Sequence, residues 1–137
     1  MPDGPRSQFQ YAMIRVVPRV ERGECFNAGV VLYCRPRRFL AARVALDERR
    51  LAALAPGADT EMLRAHLDGL VAVAAGAPDG GPVAALDQSD RFHWLVAPSS
   101  TVLQASPVHT GLCEDPAAML ERLFGALVLP LDAGSAG

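Results

Sequence analysis

An uninterrupted apolar run at residues 29–34, Gly-Val-Val-Leu-Tyr-Cys, places the strongest constraint on how this chain can fold. A run of this length, bounded by polar segments, is typical of a buried strand in the middle of a sheet. Residues 35–38, Arg-Pro-Arg-Arg, predict a turn, and residues 39–46 predict the next strand. Because the connection is short, we expect the two strands to form an antiparallel hairpin.

Three further segments have the composition of strands. Residues 9–17 alternate between two faces, with Arg15 on the same face as Tyr11. Residues 91–97 predict a strand because their aromatic and branched residues alternate. Residues 101–105 predict a fifth strand, which would pair with residues 91–97 across a Pro-Ser-Ser turn.

Helical patterns occupy much of the remaining chain. A short helix is expected to reach residue 55, and two main helices are expected at 59–75 and 115–129. Acidic and hydroxyl side chains precede these patterns as candidate N-caps: Asp47, Asp59 or Thr60, and Asp115. The prediction is therefore an α+β fold, with an antiparallel or mixed sheet of four to five strands and the two main helices on one face.

The length of 137 residues suits one domain. We expect a single α+β domain over residues 9–130, with flexible termini at 1–8 and 131–137. An open sheet has two unpaired edges, and a homodimer could cover one of them.

Composition narrows the functional classes. The net charge is −2, which provides no global positive field for nucleic acid. Three cysteines at wide spacings form no Cys-x-x-Cys pair, so neither a disulfide framework nor a zinc ribbon is expected. The polar start does not resemble a signal peptide, and no apolar run reaches the roughly 20 residues of a membrane helix. We expect a cytoplasmic protein with no membrane association and no cofactor.

The first candidate site is the polar segment 15–27, which follows the first predicted strand. Arginines in a cleft can bind a phosphate or carboxylate in a bidentate manner. The alternative is a solvated loop whose charges pair with one another, since exposed ion pairs are common and contribute little. The candidate ligand-binding residues of this segment are Arg15, Arg19, Arg22, Glu24 and Asn27.

The second candidate site is the segment 106–115, predicted as a loop that leads into the last helix. Its candidate ligand-binding residues are Ser106, His109 and Thr110, near a helix N-terminus where backbone N–H groups favour an anion. The alternative is a tight loop whose polar side chains satisfy backbone groups. An anion-binding pocket would require segments 15–27 and 106–115 to meet in one concave site.

Other chemistries have weaker support. His109 and Cys113 could act as base and nucleophile, but no third group is identifiable to orient the histidine, so no catalytic residue is assigned. Zinc or iron ligands are present, but their spacing matches no known ligand pattern, and no metal site is expected. These are Cys25, Cys34, His66, His93, His109 and Cys113. A local basic patch surrounds the hairpin turn, but on a mildly acidic chain it argues only weakly for nucleic-acid binding.

Three phrases in order resemble a known family. They are Tyr-Ala-Met-Ile-Arg-Val-Val-Pro-Arg-Val-Glu-Arg-Gly-Glu at 11–24, Asn-Ala-Gly-Val-Val-Leu-Tyr-Cys at 27–34, and Ser-Pro-Val-His-Thr-Gly-Leu-Cys-Glu-Asp-Pro at 106–116. They are similar to a bacterial family known as domain of unknown function 3037, over residues 9–128. The resemblance carries over no activity and no functional residue.

What the resemblance implies is a context. Such proteins are often encoded beside a kinase similar to the HipA toxins, which indicates an accessory or regulatory partner. Together with the absence of a catalytic motif, this predicts a non-enzymatic interaction protein whose partner is a HipA-like kinase. The rival prediction is a small ligand-binding domain or enzyme that uses the anion pocket described above.

Overall fold

A computed structural model describes residues 5–130, which form one antiparallel sheet of five strands and four α-helices. The strands are β1 (Ser7–Val16), β2 (Phe26–Cys34), β3 (Phe39–Val44), β4 (Leu103–Ala105) and β5 (His109–Cys113). The helices are α1 (Glu48–Leu54), α2 (Thr60–Ala75), α3 (Gln88–Val96) and α4 (Pro116–Leu127). Short 3-10 turns cover Arg35–Arg37, Pro78–Gly80 and Pro82–Ala85. This architecture confirms the α+β class and the predicted number of strands.

The first strand begins earlier than the sequence predicts. Ser7 and Gln8, expected in the flexible lead-in, pair with Cys113 and Leu112 of β5. The rest of the termini predicted to be flexible, residues 1–4 and 131–137, lies outside the described residues.

The strand order is β3-β2-β1, and β4 and β5 lie end to end along the free edge of β1. β2 and β3 form the predicted antiparallel hairpin across the Arg35–Arg37 turn. β4 pairs with the second half of β1 and β5 with its first half, both antiparallel. β4 and β5 are therefore two halves of one interrupted edge strand. The predicted loop at 106–115 contains β5, and residues 101–105 pair with β1 rather than with residues 91–97.

A bulge at Ser106 separates the two halves of this edge strand. Between the β1–β5 pairing and the β1–β4 pairing, β1 has two residues that are unpaired on this edge, and the chain between β4 and β5 has three. The backbone N–H of Ser106 donates to the carbonyl of Met13 at 2.8 Å. The Met13 N–H in turn donates to the Ser106 Oγ at 2.9 Å, so a hydroxyl replaces a backbone carbonyl in the ladder. The N–H and carbonyl groups of Met13 therefore both have hydrogen-bond partners where the regular strand pairing stops.

The two long helices, expected on one face of the sheet, pack against opposite faces. Val30 and Leu32 of β2 contact the cluster under α4, whereas Val31 and Tyr33 contact the cluster under α2 and α3. The reason is the uninterrupted apolar run of β2. A strand that is apolar at every position, instead of at alternate ones, needs cover on both faces.

The segment 91–97, predicted as a strand, belongs to helix α3. Asp87 caps this helix by accepting a hydrogen bond from the N–H of Asp90 at 2.9 Å. Phe92 and Leu95, three positions apart, are buried, whereas Trp94 is 48% exposed. The alternation of large residues suggested a strand, but the buried positions follow the helical period.

The other helices follow their local signals. α2 and α4 match the predicted helices closely, and Asp59 and Asp115 cap them by accepting backbone N–H hydrogen bonds. Gly76 ends α2 with a φ of 71°, a conformation that glycine adopts without a steric penalty. No helix within residues 5–130 has the length and apolarity that crossing a membrane requires.

Candidate functional site

One part of the sheet face on the α4 side is left open. α4 packs over β2 and β3, so the outward residues of β1 remain partly exposed. Tyr11 pairs with His109 of β5, and their rings lie 5.2 Å apart between centroids at an angle of 32°. Met13 and Arg15 lie on the same face as Tyr11, because alternate residues of a strand point the same way. We refer to Tyr11, Met13, Arg15 and His109 as the open face.

Two more predicted residues border the open face, but internal hydrogen bonds occupy their side chains. Asn27 pairs with Arg15, and its Nδ2 donates to the carbonyl of Leu127 at 3.0 Å. This bond ties β2 to the end of α4. Ser106 is 3% exposed, and its Oγ also donates to its neighbour's carbonyl at 2.9 Å. Ser106 thus satisfies backbone groups, as the alternative interpretation of its segment expected.

The remaining residues of the first segment lie in the exposed loop after β1. The Nε of Arg22 donates to Glu24 at 2.7 Å, and this hydrogen bond holds the pKa of the Glu24 carboxyl below its ordinary value. The Arg19 carbonyl accepts hydrogen bonds from Arg22 and the next residue, which closes the turn. The loop leaves β1 after Val16, five residues beyond the position that pairs with His109. That separation is roughly 17 Å along a strand.

Thr110 lies on the other face of the sheet from His109. It pairs with Gln10, and successive residues of a strand point to opposite faces. It lines a shallow cavity of about 370 Å³ with Gln8, Gln10, Tyr33, Arg35 and Pro36. The pairing therefore places Asn27 opposite Arg15, and His109 on the same face but four strand residues away, roughly 13 Å along β1. Ser106 lies between them at the bulge, and Arg19, Arg22, Glu24 and Thr110 lie elsewhere.

The thiol of Cys113 is poorly placed for nucleophilic chemistry. Burial raises its pKa above the ordinary thiol value, and the neighbouring Cys34 raises the pKa further. Along β5, Gly111 lies between Cys113 and His109, and the ring of Phe9 packs directly on this glycine. Within residues 5–130, no group of three or more His, Cys, Asp or Glu side chains could hold a metal ion.

Two of the arginines around the hairpin turn, Arg37 and Arg43, form internal contacts. The Nε of Arg37 donates to the Ser7 Oγ at 3.0 Å, which ties the turn to β1. Arg43 pairs with Glu121 at 2.8 Å, and its guanidinium lies 4.5 Å from the centre of the Phe124 ring. These contacts give both arginines a structural role in holding β3 and the turn to their neighbours.

A cavity of about 530 Å³ lies on the opposite face, and no sequence pattern predicted it. It opens between α2, the end of α3 and β4, and neither predicted segment lines it. Its apolar walls include Ile14, Leu70 and Leu95, and Trp94 lies at its margin. The separate elements that line it meet only through the fold, so local sequence patterns could not reveal the cavity.

Comparison with protein families identifies the chain. A family model described as "Protein of unknown function (DUF3037)" matches residues 11–128. This chain belongs to the DUF3037 family. The DUF3037 match begins in β1 and ends just after α4, so it spans the open face and the cavity. Searches of the curated proteins and of the solved structures found no match.

Proposed function

We propose that this DUF3037 protein is a non-enzymatic accessory protein whose open face binds a partner protein. The observation that carries the proposal is the set of partly or fully exposed side chains that share one face of the sheet. Tyrosine, methionine and arginine are enriched at protein interfaces, and Tyr11, Met13 and Arg15 are adjacent outward positions of one strand. The stacked His109 ring extends this surface onto β5.

The proposed partner is a HipA-like kinase, which the family resemblance suggests by its genomic context. The protein would then regulate or assist the kinase by binding rather than by catalysis. We propose further that it acts in the cytoplasm, since Cys25, Cys34 and Cys113 are all free thiols.

Co-purification with a HipA-like kinase encoded beside the protein tests this proposal. We expect a complex at micromolar concentrations, and we expect Arg15→Glu to weaken it by tenfold or more, because reversing a charge inside an interface leaves unfavourable contacts. Arg64→Glu is the matched control, since Arg64 is exposed on α2, which packs against the opposite face of the sheet. Failure to form a complex, or equal effects of the two variants, would contradict the proposal.

A second copy of the chain is the competing partner for the open face, and its binding would form a homodimer. It would appear as self-association of the isolated protein in sedimentation experiments. Self-association that Arg15→Glu abolishes, without binding to the kinase, would replace the kinase by a second copy of the chain.

The second candidate function is binding of a small anion by Arg15 and His109. The observation in its favour is that the Arg15 guanidinium and the His109 imidazole share the open face. Addition of inorganic phosphate should then shift the NMR signals of the His109 ring in the wild-type protein but not in Arg15→Gln. If phosphate causes no shift, the anion-binding candidate is wrong.

A further inference from the structure

The 530 Å³ cavity is a pit, partly open to solvent, that several separate elements line. β1 and β4 contribute its floor through Ile14 and Leu103, and α2 forms one wall. The turn at Asp79 closes one side, and the chain between α3 and β4 closes another, including Thr101. Because several separate elements enclose it, the cavity can hold a compact molecule more readily than an extended peptide.

The lining is mostly apolar, and its polar groups lie among the exposed residues. Ile14 and Leu95 are buried, whereas His66, Asp79 and Thr101 are exposed. His66 and Asp79 are the ionisable side chains of the lining, and no arginine contributes to it. Without a fixed positive charge, the cavity has no means of offsetting the desolvation of a phosphate or carboxylate. This chemistry favours an uncharged ligand.

The size of the cavity suits a small organic molecule. Ligand sites of drug-sized molecules range from about 300 to 1,000 Å³. Gly69 on α2 leaves room at the wall, since a Cβ placed there meets no atom within 4 Å. Trp94 is 48% exposed despite its large apolar ring, and it lines the cavity. An exposed indole beside an apolar pit is a stacking surface for a ring.

We propose that this cavity binds an uncharged, largely apolar small molecule with a ring that stacks on Trp94. Its polar end would face the exposed groups of His66, Asp79 and Thr101. The site lies on the opposite face of the sheet from the open face, so the proposal does not depend on a partner protein.

The test uses N-phenylnaphthylamine, a neutral aromatic probe whose fluorescence rises in apolar surroundings. Trp94 is the single tryptophan of the chain, so its emission reports from the cavity alone. We expect saturable binding of one probe per protein, with a rise in probe fluorescence and a matching loss of Trp94 emission. Anilinonaphthalene sulfonate, the charged counterpart, should bind at least tenfold more weakly.

A substitution that fills the cavity with a larger side chain tests whether the probe binds there. Gly69→Leu should weaken probe binding by tenfold or more, because the new side chain occupies the cavity. Gly125→Leu is the matched control, since Gly125 also lies in a helix with open space around its Cβ position but does not line the cavity. Circular dichroism will show whether each variant keeps its helix content. Should Gly69→Leu fail to fold, Ala65→Phe, on the same wall, provides a second block of the cavity.

Three results would overturn the proposal. The first is probe binding that does not saturate or does not change Trp94 emission. The second is equal probe affinity in a folded Gly69→Leu or Ala65→Phe variant and in Gly125→Leu. The third is equal affinity for the neutral and sulfonated probes, which would remove the preference for an uncharged ligand.

Discussion

At the scale of single residues, the contact between Gly111 and Phe9 helps to hold the edge strand against β1. A Cβ at position 111 would lie 2.8 Å from the Phe9 ring, closer than such atoms approach. The Phe9 ring is 4% exposed and belongs to the cluster beneath α4. The absence of a side chain at Gly111 therefore allows an aromatic core residue to cross onto the neighbouring strand.

Gly111→Ala should destabilise the fold by about 1–3 kcal/mol, because the added methyl displaces a packed ring. Gly125→Ala, with no atom within 4 Å of its Cβ position, should raise the free energy of unfolding by up to about 1 kcal/mol. Urea unfolding of both variants measures the difference. Equal effects of the two substitutions would show that the Phe9 ring can move aside with no loss of stability.

The Cys113 thiol makes stability depend on pH in the alkaline range. Its raised pKa means that the folded protein keeps a proton that the unfolded chain has already released. The free energy of unfolding should therefore fall as pH rises above the ordinary thiol pKa. Cys113→Ala should reduce this slope, whereas Cys25→Ala, at an exposed position, should not. Chemical unfolding at a series of pH values will test this, and identical slopes in the two variants would contradict it.

At the scale of elements, Ser106 keeps the edge strand hydrogen-bonded to β1 across the bulge, through both its backbone N–H and its side chain. Ser106→Ala removes the acceptor of the Met13 N–H, and an unsatisfied buried donor costs about 1–3 kcal/mol. We expect that loss of stability together with faster hydrogen exchange of the Met13 amide. Ser89→Ala in α3 serves as the control, with no change at Met13. Unchanged exchange in Ser106→Ala would mean that another acceptor replaces the hydroxyl.

Elements with strong local signals were predictable from the sequence. α2 and α4 have aspartate caps and helical spacing, and the β2–β3 hairpin has an apolar run followed by a short turn. β5 was not predictable as a strand, since four of its five residues are exposed or partly buried and its pairing with β1 decides its conformation. α3 was mistaken for a strand because large residues alternate in it, and only packing distinguishes its buried positions.

The candidate sites show the same division between local and non-local information. Arg15 and His109 could be selected from the sequence as polar residues, but their shared face follows from β1 pairing with both β2 and β5. The cavity could not be predicted, because α2, α3 and β4 meet there only in the folded chain.

At the scale of the whole molecule, the helices cover the β2–β3 side of the sheet and leave its other edge less covered. α4 packs against β2 and β3 on one face, and α2 packs against β3 on the other. The open face on β1 and β5 and the cavity beside β1 and β4 both lie in the part of the sheet that this arrangement leaves less covered. They lie back to back across the same strands, with Arg15 on one side and Ile14 on the other.

We expect the two sites to act independently. Arg15→Glu should leave the affinity for N-phenylnaphthylamine within twofold of the wild-type value, and Gly69→Leu should leave kinase binding unchanged. Fluorescence titration and co-purification measure the two effects. If either variant impairs both activities, the sheet couples the two faces and the sites form one functional unit.

The interrupted edge strand also has a consequence for the order in which the chain folds. The hydrogen bond between Met13 and Ser106 joins residues 93 positions apart, and β1 precedes β4 and β5 in the chain. One edge of β1 therefore stays unpaired until the residues that follow α3 have been synthesised. Contacts of such long sequence separation slow folding, because a large loop must close before they form. The domain should thus complete its sheet only after β4 and β5 have been synthesised.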